Sequence, residues 1–352
     1  MTERPISWDE IFEKLTEKQN LSDLQINWAM SQILDGLANN DQIKNFLLLL
    51  KAKGEKPSEV RALVDVMYQR GIAINIAERA VDIVGTGGDG ASTINISTTA
   101  AIITTAAGAR TIKHGNRAAS SKSGAADLLE ALGIDISLGA EQIQECVRRI
   151  GIGFAFAPVF HPAMKNAASA RRELATPTVF NILGPLANPA KPKAVAIGVA
   201  RAELLELVAT VLAERGCEGF IFRGDDGLDE ISLSTTSTIF QINNGEITRH
   251  IFDPSELGLE RVGIEELRGG TPSENAEITR AIFAGKGGPY RQSVLLNAAA
   301  AIAAFKADFH LGLTQQLANG YTLAKQAVDS GAAAQLVERW ANLSTELAKS
   351  SL

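Results

Sequence analysis

Only two of the 352 residues are cysteine, and aromatic residues make up just 5%. Cys146 and Cys217 lack the close spacing of a zinc site and the density of a disulfide scaffold. They read as reduced core residues of a cytoplasmic protein. No uncharged apolar run approaches the length of a bilayer, so no membrane association is expected. The opening Met1-Thr-Glu-Arg-Pro lacks the charged-then-apolar pattern of a secretion signal. An excess of basic charge is missing too: 34 Lys and Arg against 40 Asp and Glu leave a net charge of −6. Such a chain repels nucleic acid overall, so no nucleic-acid partner is expected and any affinity for a polyanion has to be local. What remains plentiful is small and aliphatic. With 45% hydrophobic residues and 31 glycines, the chain has enough core for one large and one small domain with close helix–sheet packing.

Residues 7 to about 71 read as helices only, with apolar residues recurring at spacings of three and four. Ser7 and Glu10 make a capping-box pattern ahead of Ile11, Phe12 and Leu15. Ser22 is placed to cap a second helix, Asn40 or Asp41 to open a third, and Pro57-Ser58-Glu59 to start a fourth. From about residue 78, short apolar runs at 81–84, 110–113, 153–156, 194–199 and 219–222 alternate with helical stretches. That rhythm predicts an α/β domain with a largely parallel sheet. Residues 237–242 and 246–252, joined by Asn243-Asn244-Gly245, read as an antiparallel hairpin at a sheet edge. The last third is helical, with an Ala-rich stretch at 298–304, and there is no internal repeat. Four prolines interrupt the rhythm between 160 and 190: Pro162, Pro177, Pro185 and Pro189. The expected division is a helical domain of residues 1–75, joined by about 166–190, and an α/β catalytic domain of residues 76–352. A leftover apolar face on the helical module would suit a dimer contact.

Gly85-Thr86-Gly87-Gly88-Asp89-Gly90 follows a predicted strand and precedes a predicted helix running from Asn95 to about Ala107. It satisfies G-x-G-x-x-G, a weak signal by itself. A dinucleotide fold also wants an acidic residue about 20 positions further on to hold the ribose. Between Gly90 and Asp127 there is no Asp or Glu. The second strand ends instead in Lys113-His114-Gly115-Asn116-Arg117, which leaves an NADP-type reading standing, weakly.

A fuller reading treats the two loops as one site, because successive parallel strands deliver their following loops to the same edge. The first loop offers backbone N–H groups and a helix N-terminus. The second offers Lys113 and Arg117, then Ser120, Ser121, Lys122 and Ser123, with another helix expected over 124–132. Two helix ends, several hydroxyls and two or three cations on one spot exceed what a monophosphate needs. Together they point to a pyrophosphate-like ligand.

The ordered set of motifs then becomes specific. Gly-Thr-Gly-Gly-Asp at 85–89, Asn-Ile-Ser-Thr at 95–98, Lys-His-Gly-Asn-Arg at 113–117 and Ser-Ser-Lys-Ser-Gly at 120–124 resemble the signature of the anthranilate phosphoribosyltransferases. So do Phe156-Ala157-Pro158, the run from His161 to Lys165, Arg171-Arg172-Glu173-Leu174, the run from Phe180 to Leu186, and Asp229-Glu230. The resemblance implies a small all-helical N-terminal domain plus a larger α/β domain with a central mixed, mostly parallel sheet of the nucleoside phosphorylase/phosphoribosyltransferase type. It also implies a homodimer. The implied reaction of tryptophan biosynthesis transfers the phosphoribosyl group of 5-phosphoribosyl 1-pyrophosphate (PRPP) to the amine of anthranilate, releasing pyrophosphate.

By the same resemblance, PRPP is contacted by Gly85, Gly88, Asp89, Thr93, Asn95, Ile96, Ser97 and Thr98. The second loop contributes Lys113, His114, Gly115, Asn116, Arg117, Ala118, Ala119, Ser120, Ser121 and Ala125, with Lys113 the most obvious phosphate partner. Anthranilate falls to Gly85, Asn116 and Arg171, whose guanidinium can fork onto a carboxylate. Pro158 and His161 line its route. Mg²⁺, two ions per subunit, falls to Ser97, Asp229 and Glu230; magnesium takes a few carboxylates plus phosphate oxygens and waters. No general base is evident, and the aniline amine, neutral at pH 7, has little need of one. Two positions depart from the pattern. Ala175-Thr176-Pro177-Thr178 stands where Gly and Arg are common, and Ala125 where Ser is common. Three alternatives stay open: a pyrimidine nucleoside phosphorylase on the same scaffold, a nucleic-acid-binding homologue, and an NADP-linked dehydrogenase.

Overall fold

The computed structural model describes residues 5–118, 121–174 and 176–350. It opens with four helices: α1 (Trp8–Thr16), α2 (Asp23–Leu34), α3 (Asn40–Lys53) and α4 (Pro57–Arg70). Their starts follow local chemistry. Ser7 Oγ accepts from the N–H of Glu10, but the Glu10 carboxylate turns to Gln25 Nε2 at 2.6 Å, so the expected box at Ser7 is only half made. The complete box is at Ser22 with Gln25. Asn39, one residue ahead of the expected cap, makes another with Gln42 and starts α3. Pro57 sits at the first turn of α4, where its missing N–H costs nothing.

The α/β part runs β1 (Val81–Gly85), α5 (Ile96–Ala106), β2 (Thr111–Gly115), α6 (Ala125–Ala131), α7 (Ala140–Ile150) and β3 (Ile152–Phe156). The short helices α8 (Ala157–Phe160), α9 (Ala168–Leu174) and α10 (Phe180–Leu186) follow. Next come β4 (Ala194–Gly198), α11 (Ala202–Glu214) and β5 (Glu218–Gly224), and then the hairpin β6 (Ser237–Asn243) and β7 (Glu246–Phe252). The chain ends in α12 (Pro272–Phe283), α13 (Pro289–Lys306), α14 (Leu313–Asp329) and α15 (Ala332–Lys349). One seven-stranded sheet has the order β3-β2-β1-β4-β5-β6-β7, parallel through β5 and antiparallel from β6 on. The hairpin forms as expected: Asn244 and Gly245 both adopt positive φ, as a tight two-residue turn demands.

Strand alternation sends side chains to two cores. Ile83, Ile112, Ala194 and Ala196 face one built with α5, α12, α13, α14 and α15. Val195, Ile197, Ile221 and Ile242 face the other, which contains the apolar stripes of α1–α4 and α11. Ala167, Ala170, Phe180, Leu183 and Leu186 enter this second core as well. Polar contacts reinforce the docking: Asn166 Nδ2 donates to Leu34 O, Lys51 Nζ to Thr176 Oγ1, and Tyr68 Oη to Leu186 O. We propose that 1–75 and about 166–190 form one helical unit on this packing. Its core is continuous with one face of the sheet, so it is a docked layer that shares a core with the α/β unit.

Candidate active site at the carboxyl edge of the sheet

Parallel pairing brings the ends of β1, β2 and β4 to one edge, with Gly85 opposite Gly198. After Gly85 the chain turns through Gly87, Gly88 and Gly90, all at positive φ, a path open mainly to glycine. The segment carrying Asp229 and Glu230 lies directly against this edge. A Cβ on Gly85 would stand 2.1 Å from Asp229 Oδ2, and one on Gly198 would stand 1.6 Å from Asp229 O. Absence of side chains at these two positions is what admits the acidic segment.

The two carboxylates are held by backbone donors. Asp229 Oδ2 accepts from Gly87 N at 2.6 Å, and Glu230 Oε1 accepts from Ser97 N at 3.1 Å, at the start of α5 where the helix dipole favours an anion. Both are more than nine-tenths buried. Burial, then the nearby Asp89, pushes the Asp229 carboxyl up to about 7. Burial, then Asp229, pushes Glu230 well above its usual range. Lys113 is the countercharge. Its side chain is buried, and Nζ donates to Ile83 O at 2.6 Å and to Ser97 Oγ at 3.3 Å. Burial lowers its pKa, while Asp82, Glu230 and Asp229 oppose the shift. Lys113 thus faces the adjacent pair Asp229 and Glu230, and Asp89 adds to their mutual repulsion, an arrangement that a divalent cation would relieve. Among the described residues no three His, Cys, Asp or Glu side chains enclose a metal on their own. Two or three carboxylates with the Ser97 hydroxyl match an ion that fills its shell with phosphate oxygens and water. The donor set therefore fits Mg²⁺.

The second loop differs from its expected form. Arg117 turns away from the glycine loop to Asp127 and to Glu130 (Nη1 to Oδ1 2.9 Å, Nη2 to Oε1 2.9 Å), lying over the Phe156 ring. Asp127 Oδ2 accepts from Gly124 N and Ala118 N, so the N-terminus of α6 is closed by its own carboxylate. Lys113 is buried and bonded to Ile83 O and Ser97 Oγ. Of the cationic cradle expected from sequence the exposed Lys122 remains, Arg268 lines the same cavity, and α5 and the loop amides add to that positive potential. Ser121 is exposed, and its hydroxyl donates to Ser123 O. Ala119 and Ser120 lie outside the described residues.

The remaining expected contacts divide. Gly88, Asp89, Thr93, Asn95 and Ser97 line the glycine loop and the start of α5; Thr98 there is buried. Ile96 puts its side chain in the core and its N–H on Ile94 O at 2.7 Å. Gly115 and Ala125 face each other where β2 meets α6. His114 alternates away from Lys113: Nδ1 meets Gly184 O at 2.7 Å, its ring packs edge-on to His161, and burial lowers its pKa to about 3. Its side chain is thus a neutral tie to α10. His161 is buried as well and bonded to Ala187 O, so it braces α10. Pro158 is exposed.

Asn116 is exposed, with Oδ1 accepting from the N–H of Arg117. Arg171 has no hydrogen bond or ion pair with a described residue. The side chain is exposed, and its guanidinium stands 6.0 Å from the Phe180 ring. An arginine without a carboxylate beside an aromatic ring is ready for an anionic ligand. Sequence reasoning missed Asp82 and Asn188. Asp82 accepts from His114 N and from Asn188 Nδ2, and a charge inside a strand was the one available signal.

Residues 77–334 match the model of the glycosyl transferase family a/b domain, and residues 9–71 that of its helical bundle domain. Fold and site thus define a glycosyl transferase acting on a phosphorylated sugar donor. The chain is 50% identical over 344 residues to an anthranilate phosphoribosyltransferase of Rhodococcus jostii, covering 98% of this chain and 95% of that one. The crystal structure of the Thermus thermophilus anthranilate phosphoribosyltransferase matches with a TM-score of 0.88 at 36% identity, over 95% of this chain and 99% of that one. The Saccharomyces cerevisiae anthranilate phosphoribosyltransferase in complex with PRPP and Mg matches with a TM-score of 0.88 at 28% identity, over 96% and 98%. The same yeast enzyme with 4-fluoroanthranilate gives 0.86 at 26% identity, over 97% and 99%. The chain belongs to the anthranilate phosphoribosyltransferases, pentosyl-transferring enzymes of tryptophan biosynthesis that join PRPP to anthranilate. The phosphorylase, nucleic-acid-binding and dehydrogenase alternatives fall away.

Proposed function

We propose that the loop of residues 85–89 and the start of α5 bind the pyrophosphate end of PRPP as its Mg²⁺ complex, with anthranilate held by Gly85, Asn116 and Arg171. The observation that carries this reading is the buried pair Asp229 and Glu230 beside the half-buried Asp89, held by the N–H groups of Gly87 and Ser97 and, among the described residues, faced by the buried Lys113. Ser97, Asp229 and Glu230 hold the metal, two ions per subunit. When bound, the metal neutralises charge that grows on the departing pyrophosphate. The protein's own part is electrostatic and positional. Loop amides and the α5 N-terminus accept the negative charge, while the N–H groups of Gly87 and Ser97 fix the carboxylates. Arg171 pairs the anthranilate carboxylate and aims the neutral amine at the anomeric carbon. The C1–pyrophosphate bond breaks, the C1–N bond forms, and the amine sheds its proton to solvent.

The yeast relative's complexes with PRPP and Mg and with 4-fluoroanthranilate support both substrates and the metal. Leu24, Leu37 and Leu48 are exposed on the helical module and support a homodimer through that layer. No helix among the described residues is long and apolar enough to cross a membrane, and we place the enzyme in the cytoplasm. Calorimetric titration with PRPP tests the site. Tight binding is expected with Mg²⁺ present and at least tenfold weaker binding with chelator. Equal binding in both would remove the metal from the account.

A further inference from the structure

We propose that Asn275, on α12, is a positioning residue that sets the register between the glycine loop and the serine loop. It acts by fixing the amide orientation of Asn95. The inference rests on the reading of Asn95 as a PRPP contact. Asn275 is 2% exposed and far from Asn95 in sequence. Its Oδ1 accepts from Gly270 N at 2.8 Å, and its Nδ2 donates to Asn95 Oδ1 at 2.8 Å. The same Asn95 Oδ1 accepts from Ser123 Oγ at 2.9 Å, and Asn95 Nδ2 donates to Ser123 O at 2.9 Å.

The polarity of this chain is forced at both ends. Gly270 N–H can only donate, so Asn275 must meet it with its oxygen and turn its amine to Asn95. Ser123 C=O can only accept, so Asn95 must meet it with its amine and turn its oxygen back to Asn275. Each amide has one satisfied orientation, and the two orientations select each other. The strap carrying Gly270 is itself tied to the glycine loop, with Gly269 N on Ser92 O and Ile94 N on Leu267 O. A cavity of about 230 Å³ opens between these parts, lined by Thr93, Ser121, Lys122, Ser123, Arg268 and Asn275. Asn275 therefore sits behind the wall that joins the two loops, and it holds Ser123 and Asn95 at a fixed separation.

Asn275→Asp keeps the shape and breaks the polarity. An oxygen then faces Asn95 Oδ1. If Asn95 flips to meet it, its own oxygen faces Ser123 O and the Ser123 hydroxyl loses its acceptor. With the carboxylate ionised no arrangement satisfies all four groups, so the kinetics are measured at pH 8 and above, where the loss should be largest. The expected result is a PRPP KM raised about 10- to 100-fold. The anthranilate KM, measured at saturating PRPP, should change less than threefold. Thr279→Val is the control: Thr279 Oγ1 meets Thr99 Oγ1 at 3.2 Å on the same pair of helices but lies outside the amide chain. It is expected to lower the melting temperature without moving the PRPP KM. If Asn275→Asp does not fold, Ser123→Ala carries the test, with an expected three- to tenfold rise in PRPP KM. A PRPP KM unchanged in the folded variants, or raised equally by Thr279→Val, would overturn the assignment. Wild-type enzyme that fails to bind PRPP would instead sink the reading of Asn95 beneath it.

Discussion

Gly85→Ala probes the contact on which the metal site depends, and the Mg²⁺ dependence separates that contact from Gly85's part in holding the substrates. The substitution adds one methyl group at the end of β1. Gly85 is not among the positive-φ residues, so its backbone tolerates alanine without strain. The new Cβ would stand 2.1 Å from Asp229 Oδ2 and 2.7 Å from its Cγ. An ordinary contact begins near 3.4 Å, so the carboxylate oxygen must retreat by about 1.3 Å (3.4 less 2.1). That retreat breaks the 2.6 Å bond from Gly87 N. A lost buried hydrogen bond costs about 1–3 kcal/mol, which lowers the Tm of a chain this size by only a few degrees. Catalysis suffers more, because a displacement of about 1 Å in a positioned group can cost about 10²-fold in rate. The variant should therefore fold, turn over about a hundredfold more slowly and need more Mg²⁺ for half-maximal rate. The assay is loss of anthranilate fluorescence across a Mg²⁺ titration, beside a thermal melt. Gly198→Ala supplies the contrast. Its Cβ would lie 1.6 Å from the backbone oxygen of Asp229, which no side-chain rotation relieves, so it should lose clearly more stability than Gly85→Ala. A Gly85→Ala enzyme with wild-type rate and wild-type Mg²⁺ curve would refute the placement of Asp229.

Three further outcomes are expected. Arg171→Ala should raise the anthranilate KM at least tenfold and the PRPP KM far less; equal effects would make Arg171 structural. Asp229→Asn should shift the Mg²⁺ dependence of the rate to higher concentration, and an unchanged curve would remove it as a ligand. The third outcome concerns His114, whose folded pKa near 3 lies below the 6.5 of a free imidazole because it is buried. Its stabilising contribution is complete above pH 6.5 and is lost as the pH falls toward 3. His114→Asn, which can keep a donor toward Gly184 O, should make the fall in Tm between pH 6.5 and 4 shallower. It should leave the pH profile of turnover unchanged above pH 6, and a vanished acid limb in that profile would show that His114 titrates during catalysis.

Much of the fold was legible because it rests on local periodicity. Each apolar run from 81–84 to 246–252 became a strand of the sheet, and the Asn243-Asn244-Gly245 turn formed where its backbone preference put it. The details that failed depend on partners distant in sequence. Glu10 left the Ser7 cap for Gln25, and Arg117 left the phosphate loop for Asp127 and Glu130. Periodicity does not reveal which acid a cation will choose. Lys113 stands at a strand end, and periodicity does not reveal that its Nζ meets Ile83 O and Ser97 Oγ with Asp82, Glu230 and Asp229 near enough to act on its charge. Asp229-Glu230 had the opposite fate. Nothing in the local pattern separates that pair from a solvated acidic loop; the family pattern singles it out, and two glycines in β1 and β4 make room for it against the sheet.

The most direct test of the account mixes the protein with PRPP, Mg²⁺ and anthranilate and follows anthranilate fluorescence together with released pyrophosphate. The account predicts equimolar loss of anthranilate and gain of pyrophosphate, both stopped by a chelator. Folded protein that consumes no anthranilate, or that releases pyrophosphate at the same rate without it, would contradict the account.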